Sequence, residues 1–289
     1  MTADADKPEL AIFHSLARTG CTIFSRYVGA MDGVYLYSEI HPDGPPLSKS
    51  QTAGTGHLAL SALVQAAAHG LDILENPEDL LTVGALPNSL EQLSQVIEAT
   101  KTSGNAPVLR DWSHIDWHGR PFCVPAGGTG ALVALLEPHY RLKRAVWVRH
   151  PMACYMSIAE SATLGTHYRG EAAFDQYIEG WLGFVADNPL DRVVRYEEFL
   201  PDPAAAIQKL CQYLDIPFDP QFAAKAAANT NITGDDRAKA EVGLSLFQRP
   251  MPVELWDYVR AHQGYQSLVA QLGYDLDELP LGFALLPRQ

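Results

Sequence analysis

Residues 10–28 read LAIFHSLARTGCTIFSRYV. The apolar run at 10–13 is typical of a strand buried on both faces of a parallel sheet. After the turn ARTGCT, apolar residues recur at spacings of one, three and four, which predicts an amphipathic helix. A strand, a turn and a helix in this order present backbone N–H groups and the positive end of the helix dipole, so the stretch predicts an anion site.

The composition of the turn narrows the kind of anion. Gly20 permits close backbone approach, the hydroxyls of Thr19 and Thr22 can donate, and Arg18 adds a fork of donors suited to phosphate or sulfate oxygens. The Walker pattern is absent, because Ser15 stands where its first glycine belongs and no lysine follows Gly20. ATP and magnesium chemistry is therefore disfavoured, although an ordinary strand-to-helix turn would give the same short pattern.

The alternation of strands and helices continues along the chain. Strands are predicted at 34–37, 107–111, 145–148 and 192–195, and helices at 57–69, 89–101, 172–186 and 203–214, with one more starting at Pro151. Such alternation predicts an α/β fold with a mainly parallel β-sheet covered by helices on both sides. We expect a single domain over 1–289, with an insert at 40–104 and a helical C-terminal extension at 220–289.

Charge and cysteine content limit the partners. The net charge of -13 argues against nucleic acid or an anionic membrane surface as a partner, because both attract basic patches. The four cysteines form no CxxC pair, which indicates reduced thiols rather than disulfides or a zinc site. The acidic start MTADADKPEL has no apolar region, and no run approaches the ~20 apolar residues of a membrane span. We expect a cytoplasmic protein.

Two later junctions also place polar side chains at strand ends. In VWVRHPMACYMSIAES (146–161), Arg149 ends a strand and Ser157 lies about two turns into the next helix. In DRVVRYEEFLPDPAAAIQKLCQYLDIPFD (191–219), Tyr196 ends a strand. Ligands of open α/β sheets bind at the carboxyl ends of the strands, so one ligand can meet all three junctions.

Taken in this order, ARTGCT, VRHPMACYMSIAES and VRYEEFLPDPAAAIQKLCQYLDIPF resemble three segments of the sulfotransferase family. These are its 5'-phosphosulfate loop, its 3'-phosphate motif and the strand and helix that follow. The family transfers a sulfuryl group from 3'-phosphoadenosine 5'-phosphosulfate (PAPS). The resemblance runs over roughly 10–218, with a poorly aligned middle, and implies a P-loop-like three-layer sandwich of the bacterial and tyrosylprotein branch.

The resemblance implies a role for each matching residue. The 5'-phosphosulfate is held by the loop, the 3'-phosphate by the second motif and the adenine by the third; the residues are Arg18, Thr19, Gly20, Cys21, Thr22, Arg149, Ser157 and Tyr196. Cys21 departs from the usual Ser or Thr, which removes one donor. The C-terminal closing segment of the cytosolic class is missing, and TGDDRAK is its nearest counterpart, with Arg237 and, less strongly, Lys239 as candidates to cover the nucleotide.

In-line sulfuryl transfer needs a base for the acceptor and a positive charge on the leaving phosphate, but it needs no metal. The resemblance places a glutamate shortly after the loop helix, where VYLYSEIHP supplies Glu39. His114 in LRDWSHIDW ranks second as base, with nearby Asp111 and Asp116 to hydrogen-bond it, and His41 ranks third. Arg18 supplies the charge on the leaving group.

The sequence thus predicts a PAPS-dependent sulfotransferase that acts on a hydroxyl or amine of a small or medium acceptor. Residues 40–104 are expected to build the acceptor pocket. Two alternatives stay open: a nucleotide-dependent small-molecule kinase, and a non-catalytic nucleotide-binding protein. The sequence names neither the acceptor nor the oligomeric state.

Overall fold

The computed structural model describes residues 6–44, 57–73, 89–121, 123, 130–161, 164–226 and 249–286. Its main sheet has five parallel strands in the order β2-β3-β1-β4-β5. These strands are β1 (Glu9–Ser15), β2 (Val34–Ile40), β3 (Ala106–Asp111), β4 (Arg141–Val148) and β5 (Val193–Arg195). The predicted α/β class with a parallel sheet is confirmed.

Helices cover both faces of this sheet. They are α1 (Cys21–Val28), α2 (His57–Ala68), α3 (Ser89–Thr102), α4 (His114–Trp117), α5 (Ala131–Leu136), α6 (Pro151–Ala159), α7 (Glu171–Asp187), α8 (Tyr196–Phe199), α9 (Pro203–Leu214), α10 (Phe222–Ala226), α11 (Val253–Ala261) and α12 (Gln263–Leu272). Within the described ranges, no helix combines the length and apolar character needed to cross a membrane.

Side-chain alternation along the strands assigns each helix to a face. On one face, Phe13 and Trp147 pack under α1 and α9, and the ring of Phe24 stacks on Trp147 with centroids 3.8 Å apart. On the other face, Val146 and Val148 pack under α6, α7 and α12, while Ile12 packs under α2, α3 and α5. Buried aromatic pairs of this kind stabilise the packing beyond what their buried area contributes, so they help to hold the helices against the sheet.

The strand order brings the ends of β1 and β4 side by side. The chain leaves β1 for the β2 edge and crosses to β4 only after β3, so the order changes direction at β1. The helix after β1 and the helix after β4 then lie on opposite faces, which opens a crevice between the two carboxyl ends. This crevice is where the three sequence motifs meet.

Two details differ from the sequence pattern. β4 begins at Arg141 rather than at 145, because its first half carries charged side chains, and Arg141 and Lys143 pair with Glu9 on β1. The tail holds a second sheet of two parallel strands, β6 (Arg249–Pro252) and β7 (Phe283–Leu286), which the pattern does not predict. The described parts of 40–104 place α2 and α3 directly on the core of the sheet.

Candidate active site

The loop between β1 and α1 is held in shape by its own contacts. The Thr19 hydroxyl donates to the Leu16 carbonyl over 2.9 Å, and the indole N–H of Trp147 donates to the Thr19 carbonyl over 3.0 Å. Arg18 and Gly20 both have positive φ, at 66° and 80°. The Thr19 hydroxyl proton is thus used inside the loop and does not point to a ligand as the sequence suggested, whereas Thr22 is half-buried in the first turn of α1.

Gly20 touches the aromatic ring of Tyr196. A Cβ atom added at Gly20 would lie 2.6 Å from that ring, closer than real side chains approach. The same ring carries the Arg149 guanidinium, whose central carbon lies 4.6 Å from the ring centroid, a cation–π contact. Glycine is therefore required here by both the backbone conformation and the close packing.

Gly20→Ala is expected to destabilise the fold by more than the cost of its backbone conformation, which is about 1–2 kcal/mol for a residue with a Cβ at this φ. Gly104→Ala is the matched control, because Gly104 has φ +82° but nothing within 4 Å of the added Cβ. Urea unfolding measures both. Equal losses in the two variants would show that the Tyr196 contact is not tight.

The second motif reaches back to the loop. The Arg18 Nε donates to the Ser157 hydroxyl on α6 over 3.0 Å. Arg149 Nη1 lies 3.4 Å from the carbonyl oxygen of Arg18, to which it donates. Together with the Tyr196 packing, these contacts bring five predicted residues into one crevice, three from the sequence motifs after β4 and β5 and two from the loop.

Glu197 has a positioning role that the sequence did not reveal. Its Oε1 accepts from the backbone N–H of His150, just before α6, and its Oε2 accepts from the Tyr274 hydroxyl over 2.9 Å. Unsatisfied N–H groups at a helix start need such acceptors. Glu197 therefore fixes the start of the helix that carries Ser157, and the only sequence signal for it is its place after Tyr196.

Glu39 lies at the end of β2 in a strained conformation, with φ 56°. Its Oε1 accepts from Arg110 Nη2 over 2.8 Å, and its side chain is 25% exposed. Arg110 also donates through Nη1 to the hydroxyl of Ser25 on α1, and Ser25 lies 3.7 Å from the Cys21 sulfur. A chain of contacts thus joins the loop to Glu39, and Arg110, which the sequence reading missed, is its centre.

His114 does not have the surroundings expected of a base. It is almost fully buried, its Nε2 donates to the Arg120 carbonyl over 2.9 Å, and burial lowers its pKa to about 4. The expected carboxylate partners are occupied elsewhere, since Asp111 accepts from His14 over 2.8 Å and Asp116 accepts from His41 over 3.0 Å. The expectation that Asp111 and Asp116 bind His114 is wrong. Because its pKa is lowered, the His114 ring is also a poor proton acceptor.

His41 is enclosed by hydrogen bonds. The Asp43 N–H donates to its Nδ1, so Nε2 carries the proton that is donated to Asp116. Burial opposes a charge on His41, yet the hydrogen bond that His41 donates to Asp116 and the charges of Asp111, Asp116 and Asp43 outweigh it and raise its pKa. A second proton, on Nδ1, would point at the Asp43 N–H, so the hydrogen bonds fit the neutral ring. Neither ring nitrogen is then available to take a proton from a sulfuryl acceptor.

The ligand atoms of His41, Asp111 and Asp116 lie within 4.8 Å of one another, a spacing at which three such groups can hold a metal ion. A metal on His41 Nε2 would have to replace the proton that is donated to Asp116, while Nδ1 accepts from the Asp43 N–H. Asp111 Oδ2 accepts from both His14 and Ser113. We assign the cluster to hydrogen bonding that joins β1 to β3 and the residue after β2 to α4. Arg237 and Lys239 lie outside the described residues.

The fold is a P-loop-like α/β architecture, and the loop after β1 lies at the point where the strand order changes. Among solved structures, the sulfotransferase domain from the curacin biosynthetic pathway matches with a TM-score of 0.58 at 14% identity, over 93% of this chain and 98% of that chain. The sulfotransferase domain from the Synechococcus PCC 7002 olefin synthase matches with a TM-score of 0.60 at 17% identity, over 93% and 96%. No family model and no curated protein sequence matches the chain. The chain therefore has the sulfotransferase fold, as its motifs predicted.

Proposed function

We propose that the protein transfers a sulfuryl group from PAPS to a hydroxyl or amine of a small or medium acceptor. The observation that carries this proposal is the convergence of Arg18, Ser157, Arg149 and Tyr196 on one crevice, with direct contacts between the three motifs. Such a crevice offers two guanidinium groups beside the loop, with the Tyr196 ring packed against Arg149. A nucleotide with phosphates at both its 3' and 5' positions fits that arrangement.

Each residue then has a defined task. The loop N–H groups and the start of α1 hold the 5'-phosphosulfate. Arg149 and Ser157 hold the 3'-phosphate, and Tyr196 contacts the adenine. The half-buried Thr22 adds a hydroxyl to the loop, while Cys21 contributes its backbone N–H and lacks the donor that a serine would provide.

In the reaction, the acceptor oxygen or nitrogen attacks sulfur, and the bond from sulfur to the 5'-phosphate oxygen breaks with its electron pair leaving on the phosphate. Glu39 accepts the acceptor's proton, and Arg110 holds the carboxylate in place through the 2.8 Å contact. Arg18 neutralises the charge that grows on the leaving phosphate. No step requires a metal ion, and PAPS is consumed as co-substrate.

The cellular location and the partners of the protein form part of the same proposal. The four cysteines form no disulfide, which fits the reducing cytoplasm. A net charge of -13 makes nucleic acid and anionic membranes poor partners. Residues 40–104 stay a proposed contributor to acceptor selection. The kinase alternative would require tight binding of ATP and magnesium without binding of 3'-phosphoadenosine 5'-phosphate (PAP), the product nucleotide.

Binding of PAP tests the proposal directly. We expect wild-type protein to bind PAP at least about tenfold more tightly than adenosine 5'-phosphate, because a hydrogen bond to a charged group contributes about 1.5–3 kcal/mol. Arg149→Ala should remove most of that preference, and Ser157→Ala part of it. Isothermal titration calorimetry measures all affinities, with Arg141→Ala as the control, since Arg141 is 51% exposed at the other end of β4.

Equal affinity of the wild type for the two nucleotides would contradict the assignment of the 3'-phosphate site. The acceptor is identified by incubating the protein with radiolabelled PAPS and a fractionated extract of its own organism, followed by analysis of the labelled product. A labelled small molecule is expected. PAP binding without any labelled product would favour the non-catalytic alternative.

A further inference from the structure

The backbone around Glu39 departs from a regular strand. Val34 through Tyr37 pair in register with β3, but the register shifts across Ser38 and Glu39 before pairing resumes at Ile40. Glu39 itself has φ 56°. A residue with a side chain keeps such a conformation only where its surroundings impose it, so the neighbours of this stretch need to supply a constraint.

The constraint comes from the free side of β2, which is an edge strand of the sheet. Along a parallel strand, the backbone groups of successive residues point alternately to the two sides. The Gly33 carbonyl accepts from Ala106 on β3, so the backbone groups of Leu36 and Ser38 point away from β3. Helix α2 lies along this side, where buried N–H and carbonyl groups need partners.

Gln65 on α2 is the partner of Ser38. Its Oε1 accepts from the Ser38 N–H over 2.6 Å, and its Nε2 donates to the Ser38 carbonyl over 2.9 Å. Because a backbone N–H can only donate, the orientation of the side-chain amide is defined. The same Nε2 also donates to the carbonyl and hydroxyl oxygens of Ser61, one helical turn earlier, over 3.1 and 3.0 Å. Gln65 is buried and held in one orientation by these contacts.

The Ser38 carbonyl lies in the same rigid peptide plane as the Glu39 N–H. The φ angle of Glu39 is the rotation between this plane and its Cα atom, so fixing the plane fixes the reference from which the Glu39 side chain projects. The carboxylate at the end of that side chain meets Arg110 Nη2 at 2.8 Å. Glu39 is therefore held from two sides, by α2 at its backbone and by β3 at its carboxylate.

We propose that Gln65 is a positioning residue for Glu39, a role that rests on the proposed function of Glu39 as the base. Gln65 holds the peptide before Glu39 in the orientation that goes with positive φ, which aims the carboxylate at Arg110. Without these hydrogen bonds, Glu39 is expected to relax to negative φ and to turn its carboxylate away from Arg110. Helix α2 in this way links the segment 40–104 to the reaction.

A second contact of the same helix provides a control for a merely structural role. The Nε2 of His69, one turn after Gln65, donates to the Leu36 carbonyl over 3.5 Å, and its ring stacks on Tyr35 with centroids 4.2 Å apart. His69 thus attaches the same helix to the same strand, two residues before Ser38. His69→Phe keeps the stacking and removes the hydrogen bond, as Gln65→Met keeps the side-chain length and removes its hydrogen bonds.

A crystal structure and labelled transfer test the Gln65→Met variant. In the structure, Glu39 is expected to leave positive φ, and its carboxylate should lie beyond the ion-pair distance of about 4 Å from Arg110. With PAPS at saturation, kcat should fall about tenfold or more, because displacing a reacting group by about 1 Å can cost about 100-fold. PAP affinity should stay within twofold of wild type. His69→Phe should retain the wild-type geometry of Glu39 and the wild-type kcat.

Thermal unfolding verifies that each variant is folded. If Gln65→Met does not fold, Gln65→Glu replaces it in the same comparison, since it keeps an acceptor for the Ser38 N–H but sets a carboxylate against the Ser38 carbonyl. Combined with Glu39→Gln, either variant should cost no further kcat, because the base that Gln65 positions is already removed.

The outcomes separate the positioning from the proposed function. An unchanged φ of Glu39 with an intact ion pair to Arg110 overturns the proposal, and so does an equal loss of kcat in His69→Phe or in the Glu39→Gln background. If the wild type neither binds PAP nor transfers label, the sulfotransferase assignment is lost, while the structure of the variant still decides whether Gln65 places Glu39.

Discussion

Arg18→Ala is expected to lower kcat/KM for sulfuryl transfer about a thousandfold, the effect of removing a preorganised charge from a developing oxyanion. Arg18 is preorganised because its Nε is bound to Ser157 and its carbonyl accepts from Arg149. Its backbone also has φ 66°, a conformation that fixes where the side chain leaves the loop. The measurement is turnover of radiolabelled PAPS on the acceptor that labelling identifies.

Two variants show which property of Arg18 matters. Arg18→Lys keeps the charge but loses the fork of donors, so it should retain more activity than alanine and less than wild type. Ser157→Ala removes the hydroxyl partner while leaving the guanidinium, and we expect a loss of about tenfold or less. If Arg18→Ala changed only KM and left kcat intact, the arginine would act in binding alone, and the leaving-group role would be wrong.

The fold could be predicted because its signals are local. Each strand-to-helix junction carries its own motif, and the apolar runs mark the buried parts of β1, β3 and β4. The start of β4 was not predicted because Arg141 and Lys143 interrupt the apolar pattern, although their pairing with Glu9 makes them part of the sheet. Local periodicity gives no information on such pairs between neighbouring strands.

The partners of titratable groups could not be predicted for the same reason. Asp111 and Asp116 lie close to His114 in sequence, but parallel pairing sets His14 opposite Asp111, and α4 turns Asp116 towards His41. Arg110 reads as an isolated charge in a strand until its partners from α1 and β2 are known. Closeness in sequence identifies neighbours along the chain, but the pairing of strands in the sheet determines which side chains are in contact.

A cavity between α7 and the segment after β3 follows this rule as well. Among the described residues none of 40–104 lines it, and the acceptor pocket expected from 40–104 stays a prediction. In the sequence, Gly180 and Gly183 are the feature that marks this place, because two glycines three residues apart inside a helix permit another segment to pack closely. Without the contact to Trp117 and His118, they indicate only a weakened helix.

Glu39→Gln is expected to lower kcat by about 100- to 10,000-fold, the usual range for loss of a general base, while leaving PAP affinity within twofold of wild type. The amide keeps the shape of the carboxylate and can still accept from Arg110, but it cannot take the acceptor's proton. Calorimetry gives the PAP affinity, and labelled transfer gives kcat. Glu9→Gln is the matched control, because Glu9 forms surface ion pairs with Arg141 and Lys143 at the opposite end of β1.

Arg110→Gln separates positioning from proton transfer. The described contacts of Arg110 are with Glu39 and Ser25, so we expect it to act through Glu39 and this variant to lose about tenfold in kcat. If it acts through Glu39, the double variant should be no slower than Glu39→Gln alone, since removal of the base removes what Arg110 positions. If the two losses multiply, Arg110 acts separately on the reacting groups.

Full turnover by Glu39→Gln would exclude Glu39 as the base, and equal retention by His114→Ala would then place the base elsewhere in the chain.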